Sequence, residues 1–535
     1  MKSFIQKHAA DVIGVLSGFD RLVFRGTLRT LSYVDGMGAY LGHRHVLLKD
    51  FGTFTKAVST QVKDASCAVA VRAGRPDIFM ASPKAKKEEF VEKLVRRDHV
   101  KAGLVCVLRC TELAPTYDIF RNRENKRLEL QRRTRPHQHI YHYFIHPRFG
   151  FMYARLQTWF PFSIQIGING REGLSRQMDH AGLRYQRADN TFPWVEDYGR
   201  AQRLFDRQLT FDWPHHLSAI MRQIHPAHPV VAGDLPLQYY WSVYQSEWAT
   251  DVSFRDEATL NRLYPKLVHH AMTSFSSEDV LRFLGHRLTP HGHVHGRFNL
   301  EVTTDVKRRK EGVRIKHRVG KNSLKAYNKA NNLRVEGTMN LPKDFKVYRP
   351  REGDENGKPA WRPLRQGVAD LHRRTRVCQA ANNRYLDALA AVDNTTALAQ
   401  IVDDVCKPTT WRGKRVRALQ PWGPRDYPLL EAVSRGEFLM NGLRNRDLRP
   451  HLYSSAPTSK KEDRRRGSAV SRKLRLLRAH GLIAKVPKTH RYTVTEKGRT
   501  IITALLAARR CNIEVLTGTN ANAETPTQQP DHLAA

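Results

Sequence analysis

SAVSRKLRLLRAHGLIAKVPKTHRYTVTEKGR, residues 468–499, reads as an amphipathic helix, a glycine stop and a short hairpin. Val470, Leu474 and Leu477 recur at helical spacing and mark the side that packs inward, which turns Ser468, Ser471, Arg472, Arg475 and Arg478 outward. Ser468 suits the start of the helix and Gly481 its end. Beyond the glycine, Leu482-Ile483 and Tyr492-Val494 flank a polar tip at 487–490, the pattern of two short paired strands.

Upstream, PRDYPLLEAVSRGEF and LRNRDLRPHLY each carry the apolar spacing of a helix, and TEKGRTIITALLAA closes the unit with another. Helix, helix, helix, hairpin is the order of a winged helix, whose third helix fits a DNA major groove. Residues 425–511 hold 21 Lys+Arg against 7 Asp+Glu, so charge and shape agree. Arg472 and Arg475 suit bidentate contacts to guanine edges, while Lys485, Lys488, His490 and Arg491 on the hairpin would meet phosphate or minor groove.

These residues resemble the recognition helix, wing and post-wing turn of MarR-like transcription regulators. The resemblance implies duplex-DNA binding through the third helix and covers about 85 of 535 residues. The basic stretch APTSKKEDRRRG before that helix, and the much larger chain, depart from the pattern of those regulators.

Over all 535 residues, 90 Lys+Arg face 51 Asp+Glu, a formal charge of +39. Such self-repulsion is expected of a protein that sits on a polyanion, so nucleic acid is the first partner to consider. With 40% hydrophobic residues the chain can bury real cores. No run of about 18 uncharged apolar residues occurs, and the N-terminus is charged too early for a signal peptide, so no membrane and a cytoplasmic location are expected. Cys106 and Cys110 form a lone C-x3-C without a second pair, which reads as buried thiols.

The expected class is α+β and multidomain. Residues 1–290 read as a mixed α/β basic region, within which 139–163 are aromatic strands and 172–285 mainly helical. Residues 291–375 read as a β-rich meander, 376–425 as a helix and linker, 426–512 as the winged helix and 513–535 as a disordered tail.

The meander holds a second constellation, NSLKAYNKANNLRVEGTMN. Lys325, Tyr327 and Lys329 share a strand face, with Arg334 and Glu336 close by on the next strand, and two ammonium groups would lower the pKa of the phenol. This Y-x-K followed by L-R-V-E resembles the strand pair of rolling-circle replication initiators of filamentous phages and small plasmids. That resemblance implies a DNA-nicking tyrosine, here Tyr327, and a divalent metal held by His and carboxylates. His293 and His295, one residue apart, with Glu336 or Glu301 as carboxylate, are the metal candidates, and Mg or Mn the ion.

Asp20, beside Arg21 and Arg25, reads as a salt-bridge partner, as does Glu124 amid arginines; a nuclease carboxylate at either position would need a second acid that the local sequence does not offer. His137, His139, His142 and His146 alternate with aromatics that could pack a core or stack unpaired bases. No phosphate-binding glycine loop is present. The leading expectation is a duplex-DNA-binding protein, mobile-element-associated or transcription-regulatory. Alternatives are a metal-dependent nickase or recombinase-like enzyme using Tyr327, and an RNA-binding factor.

Overall fold

The computed structural model describes residues 1–510 except 83–84, 274, 287–299, 310–311, 352–353, 355, 391–397, 435–437, 439–441 and 488. Helix accounts for 42% and strand for 33%, in the expected α+β arrangement. The chain divides into two units, one of residues 1–284 and 300–392, the other of 285–299 and 393–535.

The first unit is organised by an eleven-stranded sheet. Its strands are β1 (Val12–Leu28), β2 (Asp77–Met80), β3 (Gly103–Arg121), β4 (Leu128–His146), β5 (Gly150–Gln157), β6 (Ile164–Asn169), β9 (Tyr239–Phe254), β10 (Val302–Arg309), β11 (Gly312–Val319), β12 (Asn322–Lys329) and β13 (Asn332–Met339). The hairpin β7 (Tyr185–Ala188) and β8 (Thr191–Val195) forms a separate two-stranded sheet. The order is β10-β11-β12-β13-β9-β1-β6-β5-β4-β3-β2, antiparallel throughout except β2 with β3. The β4–β5 turn places Gly150 at φ 66°, a conformation that suits glycine.

Two readings change. The strands of 302–339, expected as a separate meander, continue the main sheet because β13 pairs with β9 from Asn332–Ser253 to Met339–Ser246. Within 172–285, expected to be mainly helical, β9 is a sixteen-residue strand at the middle of the sheet. Its alternation of Tyr239, Trp241 and Val243 carries the period of two, and its second half is buried on both faces, so the alternation fades there.

Helices cover both sides. On one, α1 (Gly170–His180) and α2 (Tyr198–Asp206) place Leu174, Met178, Leu204 and Phe205 around Leu16 of β1. Asn169 caps α1 by accepting from the Arg171 and Glu172 amides, and Asp197 caps α2 through the Arg200 amide. On the other, α3 (Glu257–Thr273) and α4 (Leu371–Leu389) lie against β12, β13 and β9. Tyr264 of α3 donates to the Ala326 carbonyl, and Asn382 of α4 donates to that of Trp248.

The second unit contains α5 (Tyr427–Val433), α6 (Asn445–Leu452), α7 (Lys460–Ala479), the hairpin β14 (Ile483–Lys485) with β15 (Tyr492–Val494), and α8 (Glu496–Arg510). Leu443 bridges Tyr492, adding a third extended segment beside the hairpin. Leu430, Leu448, Val470, Leu474, Leu477, Ile483 and Ile502 share its core. α7 starts earlier than Ser468: its N-cap is Ser459, which accepts from the Glu462 amide, so most of the basic stretch before Ser468 is helix.

Gly18 is where α2 meets β1, and a Cβ there would lie 2.2 Å from the Phe205 ring. Gly18→Ala should therefore destabilise the fold by about 1–3 kcal/mol in urea unfolding. Trimming Phe205 to Leu in the same chain should recover part of that loss.

Candidate functional site

β1 carries a bulge where pairing with β9 jumps from Phe19–Trp248 to Arg21–Glu247, so Asp20 has no partner of its own in the ladder. A bulge re-aims a side chain. Asp20 thereby joins Glu247 of β9 and Glu336 of β13, with one carboxylate oxygen from each lying within 4.8 Å of the others. Three adjacent strands supply the cluster, from positions remote in sequence.

A ring of cations holds it. Lys325 Nζ donates to Glu336 Oε1 at 2.6 Å and lies 3.5 Å from Glu247 Oε1. Arg334 Nη1 reaches Asp20 Oδ1 at 3.2 Å, while its Nε and Nη2 bind Asp251 at 2.6 and 2.8 Å. Arg171 Nη1 reaches the same Asp251 at 2.9 Å, and Asn190 of the β7–β8 turn donates to Asp20. Tyr327 donates its hydroxyl to Glu336 Oε2 at 3.2 Å.

Burial raises the Asp20 and Glu247 carboxyls, and the Glu336 charge pushes Glu247 further, to about 7. Burial would raise Glu336 too, but Lys325 and Arg334 hold it below the ordinary range. An open cleft of about 750 Å³ borders this cluster, with Asp20, Asn190, Tyr327, Lys329 and Arg334 in its wall. Lys329 pairs across it with Asp189 at 2.6 Å.

The same sheet face turns cationic toward the outer strands. Across β11 and β12, Lys316 stands opposite Lys325; across β10 and β11, Lys307 stands opposite Arg314. Like charges directly opposed cost stability. Burial, then Lys325 and Arg314, depress the Lys316 ammonium. Asp305 offsets part of this by pairing with Lys307 at 3.0 Å.

As expected, Arg334 and Glu336 lie close to Lys325, Tyr327 and Lys329 on the next strand; Lys325 stands opposite Glu336, Tyr327 opposite Arg334 and Lys329 opposite Asn332. The expected effect on the phenol is reversed. Tyr327 is 7% exposed and burial raises its pKa well above the ordinary value, with Lys325 spent on Glu336 and Lys329 on Asp189. His293 and His295 lie outside the described residues, as does Lys488. The sequence does not reveal Asp20 and Glu247 as partners of Glu336. The DRL and QSEWA strands carry them without any local motif, and only the bulge and the β9–β13 register bring them together.

In the second unit Ser468, Ser471, Arg472 and Arg475 are exposed on α7 above buried Val470, Leu474 and Leu477. Lys461, Arg464 and Arg465 extend that stripe one turn and more toward the helix start. Ser471 accepts from Asn445 of α6 at 2.8 Å. The Arg478 guanidinium lies over the Trp411 ring at 5.0 Å and is half-buried, so it braces the unit rather than standing free. Lys485 and His490 are exposed on the hairpin, and Arg491 is half-buried.

The remaining constellations lie largely in the core. Cys106 and Cys110 are buried in β3, with burial pushing both thiols up to about 12. His139 and His142 are buried and pushed down to about 4 by desolvation. Tyr143, Phe149 and Phe160 are core residues, and Trp159 stacks on His137 at 4.8 Å, so these rings are committed to packing.

Glu247 gives a pH signature. Its folded pKa exceeds the unfolded value of 4.5, so the folded state holds an extra proton between about pH 4.5 and 7. Its contribution to unfolding free energy falls as pH rises through that window. Glu247→Gln should flatten this part of the stability profile measured by urea titration at stepped pH. Comparison of the chain with family models, with curated proteins and with solved structures finds no match.

Proposed function

We propose that the protein binds duplex DNA through its second unit, working as a winged helix with α7 in the major groove, in a mobile-element or transcription-regulatory setting. The observation that carries this reading is the exposed Ser468, Ser471, Arg472, Arg475 stripe, which alternates with the core positions of the same helix. Arginine forks there would reach base edges, and Lys461, Arg464 and Arg465 would reach phosphates. Lys485 and His490 on the hairpin are placed for the neighbouring backbone.

Replacing Arg472 and Arg475 together by Ala should weaken binding to a preferred duplex by tenfold or more, at about 1–3 kcal/mol for each bidentate base pairing removed. Selectivity over random-sequence duplex should fall with it. Unchanged affinity and unchanged selectivity at two salt concentrations would sink this reading.

A second reading, metal-dependent action on the phosphodiester backbone, is favoured by the Asp20, Glu247 and Glu336 cluster beside the cationic face of β10–β12. Carboxylate oxygens suit Mg or Mn. When bound, such an ion supplies Lewis acidity at a phosphate oxygen. Asp20, Glu247 and Glu336 would hold it, Lys316 and Arg314 would bind the flanking phosphates, and Lys325 would have to give up part of its hold on Glu336.

In this reading the carboxylates carry the chemistry rather than a tyrosine nucleophile. With Mg or Mn and a single-stranded or supercoiled DNA, cleavage should be lost in Glu336→Gln and in Asp20→Asn, and retained in Tyr327→Phe. A covalent protein–DNA adduct that disappears in Tyr327→Phe would replace the carboxylate mechanism with the tyrosine one. No metal-dependent cleavage by the intact chain would leave DNA binding alone.

A further inference from the structure

We infer that the outer half of the β3–β4 ribbon is a DNA-gripping arm, a second binding surface beyond α7 that inserts into a groove of the duplex. The inference rests on duplex DNA being the partner. β4 loses its neighbour β5 beyond the His139–Gln157 pair, and β3 loses β2 beyond Cys110. From there to Arg121 and Leu128 the two strands pair only with each other. Beyond the buried Tyr117 and Leu130, residues 118–121 of β3 extend about 13 Å to the tip.

Two strands alone are marginal in water. The root is therefore tied down: Tyr117 donates to the Leu31 carbonyl at 2.9 Å, Thr116 to that of Phe160 at 2.9 Å, and Arg132 to that of Ser32 at 3.0 Å. The tip is stiffened separately. Asn122 and Asn125 both donate to Glu129, at 2.8 and 3.0 Å, while Asn122 Oδ1 accepts from the Glu124 amide at 3.0 Å.

The tip also carries unbalanced charge. Residues 118–135 hold seven Lys+Arg and three Asp+Glu. Asp118 is used by Arg135 at 2.7 Å and Glu129 by the asparagines, while Arg121, Arg123, Lys126 and Arg127 are exposed without a carboxylate partner among the described residues. Phe120 and Leu128 are 39% and 38% exposed.

The arrangement selects the partner. Phe120 pairs across the ribbon with Glu129 and Leu128 with Arg121, so the two apolar side chains stand on opposite faces. Arg133, over the Phe120 ring at 5.8 Å, and Arg121 likewise lie on opposite faces. A flat anionic membrane could engage one face at a time. A groove offers two phosphate ridges, one to each face, and the major groove admits a two-stranded ribbon. Apolar tips that enter between base steps are a further use of such an arm.

The test uses the full chain. With Arg121, Arg123, Lys126 and Arg127 changed together to Ala, the log–log dependence of duplex affinity on salt should become shallower by about 3 to 4, at about 0.9 for each phosphate no longer neutralised. The matching Arg→Lys variant should keep the wild-type slope. Phe120→Ser with Leu128→Ser should lower affinity while leaving the slope unchanged, since apolar contacts release no counterions. An unchanged slope in the four-Ala variant, with Arg472→Ala/Arg475→Ala still weakening binding, overturns the arm and spares the α7 reading. Loss of binding to phosphatidylserine vesicles in the four-Ala variant, with DNA affinity intact, also overturns it in favour of a membrane. If the wild-type chain fails to bind duplex at all, both readings fall together.

Discussion

Asp251 sits between two buried arginines, and the first unit's polar interior is arranged around it. Its oxygens take Arg334 from β13 and Arg171 from the first turn of α1, and all three side chains are almost fully buried. The arginine charges hold the Asp251 carboxyl below its ordinary range against the opposing effect of burial. A buried pair of this kind need not add net stability, but removing one member strands the others. What the triad does secure is position. Arg334 has Nη1 left for Asp20, and its Nη2 donates to the Asn190 carbonyl as well as to Asp251, so one guanidinium fixes strand β13, the β7–β8 turn and the bulged carboxylate of β1 in a common geometry.

That geometry sets an electrostatic problem which the molecule leaves unsolved. Asp20, Glu247 and Glu336 crowd together with Lys325 serving two of them, and Glu247 answers by holding its proton up to about pH 7. A few ångströms along the same face the imbalance has the opposite sign, with lysine facing lysine and lysine facing arginine across the strands. Sheets select against like charges directly opposed unless something gains from them. A cation at the first place and a phosphate chain at the second would each relieve one imbalance, and the two ligands attract each other.

How far the sequence can be read follows from the range of the interactions. In the second unit the signals are local: the helical spacing of Val470, Leu474 and Leu477 and the Gly481 stop lie within one segment, and the helices and hairpin are found where they are expected. The start of α7 is misplaced in the sequence because KKEDRRRG looks like a charged loop, although Ser459 caps it and Glu462 pairs with Arg466 one turn on. Lys325 with Glu336 is legible for the same reason, a tight hairpin register. The acid cluster is not, because Asp20 and Glu247 meet Glu336 only through long-range strand pairing and a bulge, neither of which leaves a pattern in neighbouring residues. Tyr327 is misjudged when charges are counted along its strand without the carboxylates that consume them.

What the lysines and arginines touch says more than their number. Arg171, Arg334 and Arg374 are buried and engaged with carboxylate or carbonyl oxygens; Arg466 and Arg478 lie on aromatic rings. Other cations stand in ordered rows at the outer face of α7, the face of β10–β11 and the tip of the β3–β4 ribbon. α7 and the β10–β11 face are regular elements whose other side is anchored in the protein, so their charges are held at fixed spacing. A merely soluble surface would not require that. Fixed spacing is what a regular array of phosphates rewards, because each contact displaces a condensed counterion without a fresh entropic cost for ordering the side that carries it.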